Sequence, residues 1–111
     1  MDDIVDVSRL RALSDALHRS LTGGVLMMTR GIIALGLARQ LRILEAVAAF
    51  EDFGPDNDPY GEHDFGALEV EGTRLFFKIE YLDRALTGHS PDPADPSVTT
   101  RVLTIMLAEE H

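Results

Sequence analysis

The sequence predicts an α+β domain of two layers, a small three-stranded antiparallel sheet with one hairpin, packed with about three helices in the order αβαββα. Three observations predict it. Ile4, Val7, Leu10, Leu13, Leu17 and Leu21 recur at intervals of three or four, the spacing of one helix face. Residues 65–81 alternate apolar and polar around Glu71-Gly72, the pattern of a tight hairpin. Between these halves lies Glu51–Gly66, with six carboxylates, two Pro, three Gly and neither Lys nor Arg.

At 111 residues the chain fits one domain, residues 1–111, long enough to bury a core without covalent staples. It has no cysteine, which excludes disulfides, thiolate metal sites and cysteine nucleophiles and suits a reducing cytoplasm. The acidic start Met1-Asp2-Asp3 is unlike a secretory leader. The most apolar window, Leu21 to Ala38, is interrupted by Arg30, so the expectation is a cytoplasmic protein with no membrane span.

The first helix begins at an Asp6 or Ser8 cap and stops at Gly23-Gly24. That Gly pair lacks the Gly-Lys-Ser/Thr ending of a nucleotide-binding loop and reads as a turn. Val25–Arg30 is almost continuously apolar, as in a strand covered on both faces or inside a sheet. Gly31 to Gly36 is a hydrophobic connection. Leu37 to Phe50 is rich in Ala, Leu, Arg, Gln and Glu and predicts a second helix, packing through Leu37, Leu41, Leu44, Val47, Ala48 and Phe50, with Arg39 and Arg42 in solvent.

The hairpin register sets Val70 opposite Thr73, Glu69 opposite Arg74, Leu68 opposite Leu75 and Gly66 opposite Phe77. One face then holds Leu68, Val70, Leu75, Phe77, Ile79 and Tyr81. The other holds Phe65, Ala67, Glu69, Arg74, Phe76, Lys78 and Glu80, with Phe65 and Phe76 expected under the first helix or, alternatively, as a contact patch. Leu82 to Asp95 is a loop with Pro91 and Pro93. Asp95-Pro96 then looks like a helix cap followed by a first-turn proline, and Val98, Val102, Leu103, Ile105, Met106 and Leu107 predict a buried last helix over about 96–109.

The formal charge of −9 is unevenly spread. Residues 1–50 hold six Arg against five acids, and residues 51–111 hold four basic residues against fourteen acids. Such a half repels nucleic acid, whose binding depends on Lys and Arg displacing counterions, and it attracts basic protein surfaces. The candidate partner-binding residues are Asp52, Asp56, Asp58, Glu62, Asp64, Asp92 and Asp95.

The loop 51–66 also invites a metal. Aligning Asp56 to the first position of a calcium loop puts Asp58 third and Gly61 sixth, but Tyr60 fifth and Ala67 where a bidentate Glu belongs, so the pattern fails. A different ion site would draw on Asp56, Asp58, Glu62, His63 and Asp64, completed by His89 or Asp92. Asp52-Phe53-Gly54 and Asp64-Phe65-Gly66 match a kinase triplet without the rest of a kinase. The structural use of the same residues is that Asp56, Asn57 and Asp58 bond to nearby backbone and order the turns while Tyr60 packs at the core edge. No cofactor, metal or catalytic residue is assigned.

Asp52-Phe53 through Phe65-Gly66, Phe76–Ile79, Ser90–Pro96 and Val98–Ala108 resemble a small bacterial family of unknown function often carried on plasmids or prophages. The resemblance implies a mobile-element setting and carries over no site. Together with the charge it leads us to expect a non-enzymatic, acidic inhibitor of a host-defence complex, such as an anti-CRISPR protein that covers a basic nucleic-acid-binding surface. The alternative is a small metal-dependent enzyme or regulator using His63 and its acidic neighbours.

Overall fold

The computed structural model describes residues 6–111; Ile4, the first residue of the expected stripe, lies outside them. Helix α1 (Val7–Ser20) starts where the Asp6 carboxylate accepts a hydrogen bond from the Arg9 amide at 3.1 Å. Such a cap contributes about 1 kcal/mol. The helix ends at Leu21, which adopts the left-handed conformation and returns its N–H to Ala16 O and Leu17 O. Its buried residues are Leu10, Ser14, Leu17 and His18, so the inward stripe carries two polar groups.

Strand β1 (Val25–Met28) leads through a single helical turn, α2 (Arg30–Ile33), into α3 (Leu37–Ala49). The expected hydrophobic connection is therefore helical, and it buries Ile32. Helix α3 faces the core with Ile43 and Val47, whereas Leu37 is 70% exposed and Leu41 also faces outward. Arg42 Nε lies 2.7 Å from Glu71, and Arg39 reaches both Glu71 and the Thr73 hydroxyl, tying α3 to the hairpin turn.

Strands β2 (Phe65–Val70) and β3 (Thr73–Leu82) form the hairpin in the expected register, from Val70 opposite Thr73 to Phe65 opposite Lys78. Its turn places Glu71 and Gly72 at φ 51° and 81°, the left-handed pair a two-residue loop requires.

The largest correction is at the C-terminus. Residues expected to form a last helix instead form β4 (Thr100–Leu107), closed by a 3-10 turn at Ala108–Glu110. The sheet therefore has four strands in the order β1-β4-β3-β2, with β1 parallel to β4 and the other pairs antiparallel. The physical reason lies in side-chain type. Val98, Thr99, Thr100, Val102, Thr104 and Ile105 are β-branched and lose rotamer freedom in a helix while packing well on a pleated surface. The wide apolar arc is the two-sided apolarity of a central strand. Arg101, Leu103 and Ile105 lie buried on the helix-covered face, and Met106 is buried as well. Asp95 caps no helix; its carboxylate accepts from the Ser97 amide and hydroxyl in a local turn.

Strand β1 is an edge strand and not an interior one. Val25 and Met27 are 43% and 52% exposed, while Leu26 and Met28 pack against the core. The core joins Leu10 and Leu17 of α1, Ile43 and Val47 of α3, and Leu75, Phe77, Ile79, Leu103 and Ile105 of the sheet. Phe65 and Phe76 are not covered by α1. They lie on the opposite face, where the C-terminal His111 ring approaches Phe76 at 5.1 Å and Phe65 at 6.0 Å. No helix among the described residues is long and apolar enough to cross a membrane.

Candidate functional site: the loop 51–66 and its polar anchor

The loop leaves α3 at Phe50 and is pinned by aromatic contacts. Phe53 meets Phe50 edge-on at 4.9 Å and stacks on the His63 ring at 4.0 Å and 5°, while Phe50 packs edge-on against Phe77. Local hydrogen bonds shape the turns between. Asn57 Oδ1 accepts from the Gly54 amide, and its Nδ2 donates to Asp52 O. Asp58 is 8% exposed, and its Oδ1 accepts from the amides of Glu62 and His63 at 3.0 and 3.1 Å. The turn-ordering use thus holds for Asn57 and Asp58. Asp56 is exposed, and Tyr60 is 76% exposed and not at the core edge.

Beneath the loop runs a polar chain that joins it to α1. Asp15 Oδ1 stands 2.8 Å from His63 Nδ1 and 3.2 Å from His18 Nε2. His63 Nε2 faces Asp58 Oδ2 at 3.7 Å, and Arg11 donates to Gly61 O. His18 is fully buried, stacked 5.3 Å from Phe77, with Nδ1 3.0 Å from Val47 O. A carbonyl only accepts, so His18 Nδ1 must carry a proton. Asp15 Oδ1 is the atom at which the two rings meet.

A second polar chain runs through the sheet end. The Tyr81 hydroxyl donates to Glu62 Oε1 at 3.0 Å. Burial, with Asp64 and Glu62 nearby, pushes the Tyr81 phenol far above its ordinary value, although Ser14 favours the anion. The Ser14 hydroxyl is itself buried without a hydrogen bond of normal geometry. Burial likewise raises the Asp64 carboxyl, and the neighbouring charges of Glu62 and Asp58 add to it.

The expected binding residues therefore divide. Asp58 is buried and serves the loop; Glu62 and Asp64 are half-buried against Tyr81. Asp52 and Asp56 remain exposed and line an open groove of about 450 Å³ with Gly54, Pro55, Asn57, Ala67 and Arg74. Asp92 is exposed with Oδ1 accepting from the Ala94 amide, and Asp95 is half-buried. The 83–95 loop shares the Tyr81 end of the sheet: Ser90 N–H donates to Tyr81 O, and the His89 ring lies 6.4 Å from the Tyr81 ring. Among the described residues no three His, Asp or Glu side chains converge as a metal site.

Sequence reasoning missed Ser14, Asp15, His18 and Tyr81 as parts of this network. One signal was present. Ser14 is one turn from both Leu10 and Leu17, and His18 is one turn from Ser14 and adjacent to Leu17, so both fall on the buried side of the stripe. Asp15 sits half-buried at the border of the stripe.

No curated protein and no solved structure shows significant similarity to the chain. Residues 28–110, which span β1's last residue to the C-terminal turn and so include the loop, match the family described as "Protein of unknown function (DUF3768)". The chain belongs to that family.

Proposed function

We propose that the chain is a non-enzymatic binding protein that presents the acidic surface of the loop 51–66 to a basic protein surface. The observation that carries the reading is the division within 51–66. His63, Asp58 and Glu62 are committed to internal partners, whereas Asp52 and Asp56 face a groove open to water. A loop already ordered by its own hydrogen bonds loses little entropy when a partner docks. The fourteen acids of residues 51–111 raise the encounter rate with a cationic partner and disfavour nucleic acid itself.

The partner class we favour is the basic, nucleic-acid-binding groove of a host-defence complex such as a CRISPR effector, in the mobile-element setting that the family resemblance implies. Asp92 lies on the loop at the Tyr81 end of the sheet, whereas Asp52 and Asp56 stand beside Ala67 and Arg74 towards the hairpin turn, so the surface we propose is that of the loop 51–66 without Asp92. The alternative of metal-dependent chemistry at His63 is less favoured, because each of its ring nitrogens already faces a carboxylate of this chain.

The test is affinity capture from host lysate with wild type, the double reversal D52K/D56K, and E45K on α3 as a charge-reversal control away from the loop. We expect capture of a basic protein that weakens with salt and is lost in D52K/D56K but kept in E45K. Capture that ignores the double reversal, or that does not respond to salt, overturns the reading.

A further inference from the structure

We propose that β1 is a docking edge for a second copy of this chain: two β1 strands pair antiparallel and join two sheets into one, away from the acidic loop and independently of the reading above.

The ladder between β1 and β4 shows which backbone groups are free. Along a strand the N–H and C=O of successive residues point to alternate sides. The Thr29 N–H donates to Ile105 O of β4 at 3.1 Å. Val25 and Met27 therefore turn their amides and carbonyls to β4 as well, while Leu26 and Met28 turn theirs outward. Among the described residues, β1 has no strand on that outward side, and no turn or loop backbone bonds to Leu26 or Met28.

Nothing in the sequence blunts this edge. From Leu21 to Thr29 there is no charged residue and no Pro, the usual guards of an exposed strand. Val25 and Met27 present apolar side chains to water on the face without helices. The other edge of the sheet differs: β2 carries Glu69, and Asp52 and Asp56 line a groove with its Ala67.

Two observations select a second copy as the occupant. First, the edge complements itself. A two-fold axis between two Met27 residues, perpendicular to the sheet, sets Leu26 opposite Met28 in both directions, and each such pair exchanges both of its hydrogen bonds. The same register brings Met27 against Met27 on the open face and Leu26 against Met28 on the helix-covered face. Second, the charge is placed to allow it. Residues 1–50 hold six Arg against five acids, whereas residues 51–111 hold fourteen acids against four basic residues. Pairing through β1 joins the copies at a segment of the near-neutral half and leaves both acidic loops beside β2, at the two outer edges of the joined sheet. The paired strands are short, so the association is weak and the chain folds alone at dilution.

The test follows sedimentation and amide hydrogen exchange of ¹⁵N-labelled protein between roughly 10 µM and 1 mM, with wild type, M27K, M27E and an equimolar mixture of the two variants. We expect the wild type to move towards a dimer at the high end, where the Leu26 and Met28 amides exchange about tenfold more slowly than at the low end. M27K and M27E should each weaken self-association about tenfold or more, because like charges then face each other, and the mixture should restore it. Both variants change an exposed side chain, so both should keep the wild-type urea midpoint at the low end. A wild type that stays monomeric at the high end overturns the proposal and leaves the edge to a strand of another protein. Association that ignores both variants, or that the mixture fails to restore, overturns it too. So do concentration-dependent shifts centred on Phe76, Val102 and Thr104 of the open sheet face in place of Leu26 and Met28.

Discussion

The Asp15 carboxylate lies 2.8 Å from His63 Nδ1 across forty-eight residues of chain, and it is the point at which α1 holds the acidic loop. The same oxygen also meets His18 Nε2, so one half-exposed carboxylate contacts two rings. Asp15→Ala leaves the buried His18 Nε2 without its partner. Unfolding in urea should show a loss of about 2 kcal/mol. A double-mutant cycle with His63→Ala should return a non-zero coupling, since the pair is in direct contact. Additive losses would mean that the two side chains act separately.

Gly66 sits where β2 passes over the aromatic cluster. A Cβ there would overlap the Phe77 ring and stand 2.8 Å from Phe50 Cε1. Gly66→Ala should destabilise by about 1–3 kcal/mol through overpacking. The measurement is the denaturation midpoint, with the Phe53–His63 stack followed by the ring-current shifts of His63. A neutral result would show that Phe77 moves aside freely.

Tyr81 and Asp64 set opposite ends of the pH profile. The folded state holds the Tyr81 phenol neutral above its ordinary value of 10.0. The unfolded chain loses that proton first, so stability is complete below about pH 10 and falls as pH rises beyond it. Tyr81→Phe should flatten that alkaline decline. Asp64 is also raised from 3.8, so its ionised form is disfavoured in the fold. Stability from this group is present in acid and is lost as pH rises through the folded value. Asp64→Asn should therefore raise Tm at pH 7 and leave it little changed near pH 3. A lower Tm at pH 7 would instead mean that the Asp64 carboxylate makes a net favourable contact.

Met27 on the edge strand offers the contrasting case. It is 52% exposed and faces away from the helices. Met27→Lys should alter stability by no more than about 0.5 kcal/mol. It should also raise solubility, because a charge on an apolar edge discourages strand addition. A large loss in a urea titration would show that this side chain is packed.

Much of the fold was legible where the signal was local. The hairpin was readable to the residue because alternation and Glu71-Gly72 leave only one register that keeps Leu75, Phe77 and Ile79 dry. Helices α1 and α3 were readable from their periodicity. Residues 98–107 were not, because a central strand apolar on both faces looks like a buried helix when only the count of apolar residues is read. What decides it is that β1 and β3 both hydrogen-bond to it, a non-local fact. The candidate site was half legible. The loop's acids were evident, but which of them point inward depends on Tyr81 and on α1, far away in sequence.

By itself the sequence determined the α+β class, the hairpin register, the two longer helices and the acidity of residues 51–111. Each rests on residues within a few positions of one another, whose periodicity or composition suffices. Only the tertiary structure decided that β4 lies at the centre of the sheet, that β1 is an edge, and that Asp58 and His63 face inward while Asp52 and Asp56 face water. Those outcomes depend on burial and on hydrogen-bond partners brought together across the chain, such as Asp15 with His63 and Tyr81 with Glu62, and no local pattern encodes which distant group will arrive.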